Sequence, residues 1–232
     1  MRAEDESVIR ALDLFADMDP ANFTELMQAA YFQRFPPHVQ LITEGEPADF
    51  LYVVVDGCVE LFANSNNRET TMAILRPVST FILAAVLRDA VYLMSARTTE
   101  KSRVLMIPSE NIHAVFERDA AFARALVREL ATCYRSVVKA LKDHKLRTAV
   151  ERLANYIIRE HEKQGADGQL KLRSDKRTLA ALLGMTPENL SRAFNTLRPY
   201  GVDVDGRSVR VSKLADLTTL AKPTPLIDDP RS

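Results

Sequence analysis

Residues 175–211 read DKRTLAALLGMTPENLSRAFNTLRPYGVDVDGRSVRV, and no other stretch limits the possible folds as tightly. Leu179, Ala180, Leu182 and Leu183 give a short helix a narrow apolar stripe, and the small Ala180 at its centre lets a second helix cross close over it. Gly184 ends that helix, because glycine enters the left-handed conformation needed past a helix C-terminus without a Cβ clash. Met185 starts the return to the core. Thr186 is placed to cap a second helix, Pro187 suits a first helical position where its missing N–H would have no partner, and Glu188 complements the positive helix end.

Along this second helix Leu190, Ala193, Phe194 and Leu197 recur at helical spacing and face the first helix, so Glu188, Asn189, Ser191, Arg192 and Asn195 point outward. The outward set holds a carboxylate, a hydroxyl, amides and a guanidinium. These match cytosine N4, thymine or phosphate, adenine, and guanine N7/O6. The pattern predicts a helix-turn-helix whose outer face reads base edges of double-stranded DNA; the blander alternative is a polar helix in a winged scaffold that binds protein. Pro199 and Gly201 close the helix, and Val202 and Val204 alternate into Asp205-Gly206, with Val209 and Val211 beyond, as in a two-stranded wing. Arg207 and Arg210 on the wing are candidate phosphate contacts or plain solvated arginines, and Lys176, Arg177 and Thr186 complete the DNA-binding set.

KRTLAALLGMTPENLSRAFNTL resembles the winged helix-turn-helix of the CRP/FNR superfamily of bacterial transcription regulators. Glu188, Ser191 and Arg192 match the Glu-x-x-Ser-Arg signature of its FNR-like branch. The resemblance implies that these three contact a palindromic operator whose half-site resembles TTGAT, while Asn189 and Asn195 occupy slots that vary in the family.

The 31 basic and 31 acidic residues cancel, yet residues 146–213 hold 13 Lys+Arg against 8 Asp+Glu, and residues 1–145 hold 16 against 20. The basic surplus lies where phosphate is to be met, and it is small enough that affinity must also come from dimerisation. Two cysteines without a secretory leader, and no apolar run near the ~20 residues that span a bilayer, predict a cytoplasmic protein without disulfides or membrane contact.

From the N-terminus, residues 7–18 carry Val8, Leu12 and Phe15 at helical spacing, and Asp19-Pro20 opens a second helix with Phe23, Leu26, Met27 and Ala30 inward. Short alternating runs follow over 39–42, 50–55, 58–62, 71–75, 94–98 and 104–107, with turns at Gly45, Gly57 and Asn64 to Asn67, predicting a compact antiparallel roll. The run LITEGEPADFLYVVVDGCVELF resembles the first half of the same superfamily's cyclic-nucleotide-binding β-roll. Nucleotide-binding members hold the phosphate with a glycine-glutamate turn and a later arginine. Here no glycine lies between Gly57 and Gly165, and the corresponding stretch reads Phe81-Ile82-Leu83-Ala84-Ala85-Val86-Leu87. Without converging N–H groups and positive charge that stretch is unsuited to cyclic AMP. Phe81, Leu83, Leu87, Tyr92 and Met94 are apolar enough either to line a pocket for a hydrophobic cofactor such as haem or to fill the core.

A long helix is expected through residue 145, with Ala123, Leu126, Leu130, Cys133, Val137, Ala140 and His144 as the seam of a parallel two-stranded coiled coil and a hinge over 142–145. The resemblance assigns the same dimerising role to this helix. Two recognition helices related by a two-fold axis would then enter successive major grooves about 34 Å apart. Residues 146–163 supply a further amphipathic helix, residues 170–172 a strand, and residues 222–232, with three prolines, a loose tail.

With only Cys58 and Cys133, a four-cysteine iron–sulfur cluster is excluded. Cys58 reads as a buried hydrophobe, and Cys133 on the seam as a packing residue or a redox switch. The four histidines show no metal-ligand spacing, and no grouping argues for catalysis. The expected architecture is α+β: a sensor roll over 1–118, a dimerisation helix over 119–145, a winged helix-turn-helix over 146–221 and a tail. The expected function is a homodimeric, site-specific transcription regulator, an activator working through RNA polymerase, whose roll senses a diatomic gas or redox state. The alternative is a cyclic-nucleotide-binding-like regulatory subunit acting through a protein partner.

Overall fold

The computed structural model describes residues 3–66, 68–165 and 167–229, so Asn67 of the expected 64–67 turn, Ala166 and Pro230 lie outside the described residues. Helix α1 (Ala3–Arg10) is shorter than the periodicity predicts. Beyond it the chain runs as turns closed by bonds such as Phe15 N–H to Leu12 C=O, 2.8 Å, which bury Leu14, Phe15 and Met18 and leave Val8 exposed. Asp19 caps α2 (Pro20–Ala29) by accepting from Ala21 and Asn22 N–H, and Phe23, Leu26 and Met27 face the core as expected.

The roll consists of β1 (Tyr31–Phe35), β2 (Gln40–Ile42), β3 (Phe50–Asp56), β4 (Val59–Ser65), β5 (Arg68–Leu75), β6 (Ser79–Phe81), the short helix α3 (Leu83–Leu87), β7 (Ser95–Thr98) and β8 (Ser102–Pro108). The strands form two four-stranded antiparallel sheets, ordered β1-β8-β3-β6 and β2-β7-β4-β5. Leu51, Val53, Val54, Val59, Leu105 and Ile107 belong to one continuous buried core. Helix α4 (Ser109–Arg118) packs Ile112 and Val115 onto that core and leads into α5 (Ala120–Leu146). Asp119, itself buried, joins the start of α5 to α2: it accepts from Phe122 N–H at 2.9 Å, Ala121 N–H at 3.0 Å, Asp19 N–H at 2.9 Å and the Asn22 amide at 3.1 Å.

The exposed apolar stripe of α5 does not coincide with the seam that periodicity predicts. Leu126 is fully buried in the core of the roll and Ala123 is half-buried. The large exposed apolar side chains of α5 are Val127, Tyr134, Val137, Val138, Leu141 and Leu146, and the smaller Cys133 and Ala140 are exposed too. Val127, Tyr134 and Leu141 recur every seven residues, with Leu130, Val137 and His144 at the alternate positions, so Cys133 and Ala140 lie one residue off the stripe. Periodicity alone could not separate the two sets, because the roll has already claimed Leu126.

The second unit begins within α5, at Tyr134, and has its own core. It contains α6 (Ala149–Lys163), β9 (Gln169–Lys171), α7 (Lys176–Leu182), α8 (Pro187–Leu197) with a single 3₁₀ turn (Arg198–Tyr200), β10 (Val202–Asp205), β11 (Ser208–Val211), α9 (Leu214–Ala221) and α10 (Pro225–Asp228). Leu153, Ile157, Leu179, Ala180, Leu190, Phe194 and Leu197 meet in this core. Strand β11 pairs with both β10 and β9, and Gly206 (φ +57°) with Arg207 forms the hairpin loop, one residue later than the expected Asp205-Gly206 turn. The long helix runs unbroken past the expected hinge. It ends at Leu146, where Thr148 opens α6 in a reciprocal cap with Glu151. The expected loose tail is docked as far as Asp229.

Candidate DNA-binding surface and sensor region

Helix α7 starts with the Asp175 carboxylate accepting from Thr178 N–H at 2.8 Å, which leaves Lys176 and Arg177 exposed. It ends at Gly184 (φ +61°): Gly184 N–H donates to Ala181 C=O and Met185 N–H to Ala180 C=O, both at 2.9 Å. These two bonds satisfy carbonyls that a sharp helix end would otherwise leave bare. Thr186 then accepts from Asn189 N–H at 3.2 Å, with Pro187 in the first turn, so α8 begins where the sequence placed it.

Leu190, Ala193, Phe194 and Leu197 are buried, while Glu188, Asn189, Ser191, Arg192 and Asn195 are all exposed. At about 100° per residue, Ser191, Asn195, Glu188 and Arg192 fall within one arc of roughly 100°, with Asn189 at its edge. Thr196 shares that edge and escaped the sequence reading; its hydroxyl donates to Arg192 C=O at 3.0 Å. The Glu188 carboxyl is held below the usual carboxylate range by backbone N–H, the Thr186 hydroxyl and Arg192, so it presents a pure acceptor. Arg207 and Arg210 are exposed on the wing. The surface thus joins one polar helix face to flanking cations, an arrangement of the kind that could enter a groove.

In the roll, Phe81, Leu83 and Tyr92 are core residues, with Leu87 and Met94 partly buried against them, and Phe81 stacks on Tyr52 at 5.1 Å. Ile82 caps α3 in the left-handed conformation (φ +69°, ψ 10°), a place natural to glycine. Arg97 is engaged by Glu60 at 2.8 Å and Glu69 at 2.8 Å, and it lies over the Phe62 ring. His113 meets Val86 C=O at 2.9 Å, and His161 accepts from Gly168 N–H at 3.1 Å. Among the described residues no group of three His, Cys, Asp or Glu is placed to hold a metal, and no helix is long and apolar enough to cross a membrane. Cys58 is buried; burial, reinforced by Glu129, pushes the Cys133 thiol up, away from the reactive thiolate.

Comparison with known proteins matches residues 32–119 to the cyclic nucleotide-binding domain and residues 151–220 to the Crp-like helix-turn-helix domain. The chain belongs to the CRP/FNR family. It is 23% identical over 224 residues, 94% of this chain and all of the relative, to a CRP-like cAMP-activated global transcriptional regulator from Mycobacterium tuberculosis. Its fold is shared by FixK2 from Bradyrhizobium japonicum, with 22% identity, a TM-score of 0.71, and coverage of 84% of this chain and 98% of that one. A candidate CRP/FNR family regulator from Eubacterium rectale shares it too, with 18% identity, a TM-score of 0.74, and coverage of 91% and 99%. The CRP/FNR relatives are transcription regulators, and the chain is a DNA-binding regulator of that kind.

In this CRP/FNR protein the reading surface is braced from below by residues the sequence did not single out. Arg152 is buried and donates from Nε to Leu183 C=O at 2.8 Å and from Nη1 to Arg147 C=O at 2.7 Å, tying the helix-turn-helix turn to the α5–α6 elbow. A Cβ on Gly184 would come within 2.6 Å of His144 Nδ1, so the imidazole rests against the bare glycine. The spacing Thr148-x-x-Glu151 was legible as a helix start and would have located the elbow.

Proposed function

We propose that this regulator acts as a homodimer in the cytoplasm, its α5 stripes paired in parallel, and activates transcription through RNA polymerase from a palindromic operator with half-sites resembling TTGAT. The observation that carries the reading is the exposed Glu188, Ser191 and Arg192 arc on a helix whose opposite face is wholly buried. The open heptad positions Val127, Tyr134 and Leu141 support pairing with a second copy.

The M. tuberculosis relative is named for activation by cAMP. In our reading this chain does not use that nucleotide. The run from Phe81 to Leu87 holds no glycine that would let a phosphate approach the backbone, and Arg97 is committed to Glu60 and Glu69. Phe81, Leu83 and Tyr92 fill the roll core, which favours a cofactor-free roll over one that holds haem. The signal is then a diatomic gas or redox state acting by another route, or the regulator is constitutive.

The test is fluorescence anisotropy on inverted-repeat and scrambled duplexes over a salt series. Affinity should fall steeply with salt, and Arg192→Ala should cost about 1–3 kcal/mol while relaxing preference at one base pair per half-site. A monomer in sedimentation, or equal binding to scrambled DNA, would defeat the proposal. Titration with cAMP should give no heat, and an absorption spectrum of protein purified without air should show no Soret band.

A further inference from the structure

The chain does not stop at the wing and α9. Lys222 turns it in a left-handed conformation, and residues 224–229 come back along α6 to the end of α5. The Asp228 carboxylate, with 12% of its side chain exposed, accepts from Arg147 Nη1 at 2.9 Å, from Arg147 Nη2, from Arg159 Nη1 at 2.8 Å and from Thr224 N–H at 2.8 Å. Arg147, with 6% of its side chain exposed, also holds Asp143 on the last turns of α5 at 2.8 Å. Lys139 donates to Asp229 C=O at 2.7 Å and Lys142 to Leu226 C=O at 3.4 Å. One short segment is therefore gripped by α5, by the elbow residue Arg147 and by α6. Lys139, Lys142 and Asp143 centre about 130° around α5 from the Val127, Tyr134 and Leu141 stripe, so the segment leaves that stripe open.

We propose that residues 224–229 form a clasp that fixes the α5–α6 elbow, with Asp228 as a positioning residue acting through Arg147. Bidentate charge-assisted pairs hold direction as well as distance, and here they are largely withdrawn from water. The same elbow carries Arg152, whose guanidinium holds the helix-turn-helix turn, so its stiffness sets where α8 stands relative to the long helix. The clasp thereby makes the regulator selective for the distance between half-sites, a property no base contact supplies. The inference rests on the dimeric, palindromic reading above.

The test measures affinity of the full-length protein for operators with native half-site spacing and with one base pair added or removed. Each added pair moves the second half-site about 3.4 Å and turns it about 34–36°. The unaltered protein should lose about tenfold or more at either wrong spacing, whereas Asp228→Asn should lose about threefold or less, and Asp228→Glu should restore part of the discrimination. A loss of affinity equal at all three spacings, or an unchanged spacing profile, would overturn the clasp. Should Asp228→Asn fail to fold, hydrogen exchange on the unaltered protein decides: the elbow amides near Arg147 and the amides of residues 227–229 should share one opening free energy, and separate openings would overturn it. If the unaltered protein shows no spacing preference, the palindromic reading falls, and the exchange measurement still judges the clasp.

Discussion

Gly184→Ala tests the junction on which the reading helix stands. At φ +61° an alanine pays for a left-handed backbone, about 1–2 kcal/mol, of which roughly 0.5 kcal/mol is returned because the unfolded chain loses freedom. The new Cβ would also press within 2.6 Å of His144 Nδ1, so the ring must swing out or the turn must shift. Overpacking of this kind costs about 1–3 kcal/mol, here near the low end because His144 is exposed on its other side. The sum is about 2–3 kcal/mol. In a His144→Ala background the second contribution vanishes and the same substitution should cost about 1 kcal/mol, a coupling of roughly 1–2 kcal/mol. Urea denaturation followed by circular dichroism on all four proteins of the cycle measures it. Equal costs in the two backgrounds would refute the close approach of His144 to the turn, and a cost near zero in both would refute the left-handed strain as well.

At the roll, Ile82→Gly should be more stable than Ile82→Ala by about 1 kcal/mol, the reverse of the usual order, because only glycine relaxes the left-handed backbone while both lose the isoleucine packing; thermal melts that rank alanine first would contradict this. Burial works against ionisation of Asp119 and Asp228, but the Phe122, Asp19 and Ala121 N–H groups with Asn22 in one case, and Arg147, Thr224 and Arg159 in the other, outweigh it and hold both carboxyls below their ordinary 3.8. A depressed carboxyl stabilises fully above the ordinary value and ceases to do so as pH falls through the folded one. The urea midpoint should therefore be flat from neutrality to about pH 5 and drop below about pH 4, and Asp119→Asn should flatten the drop. Leu141→Glu places like charges across the proposed seam and should weaken dimerisation by about a hundredfold in sedimentation equilibrium, while Ala140→Glu, off the stripe, should do much less.

The parts that were legible depend on near neighbours in the chain. Gly184, Thr186 and Pro187 each act within four residues, so the turn and the start of α8 could be placed from residue types alone. Strands β3 and β4 were legible for the same reason, as short apolar runs set off by Gly45 and Gly57. Strand β6 has three residues and stops just before Ile82, whose left-handed backbone no isoleucine announces. The α5 stripe was half legible: Leu130 and Val137 were placed, but Leu126 shows the same spacing and is removed by the roll, a tertiary event. Three prolines made the tail look loose. Its anchor is Asp228, and the partners Arg147 and Arg159 stand 81 and 69 residues earlier, beyond any local signal.

Helix α5 has 27 residues, about 40 Å of continuous rod, and it starts in one unit and ends in the other. One residue inserted between Val127 and Tyr134 would turn the later part of the helix by about 100° against the earlier part, and the apolar line would break there. Seven inserted residues would leave that line almost straight, so the stripe tolerates lengthening only in whole heptads.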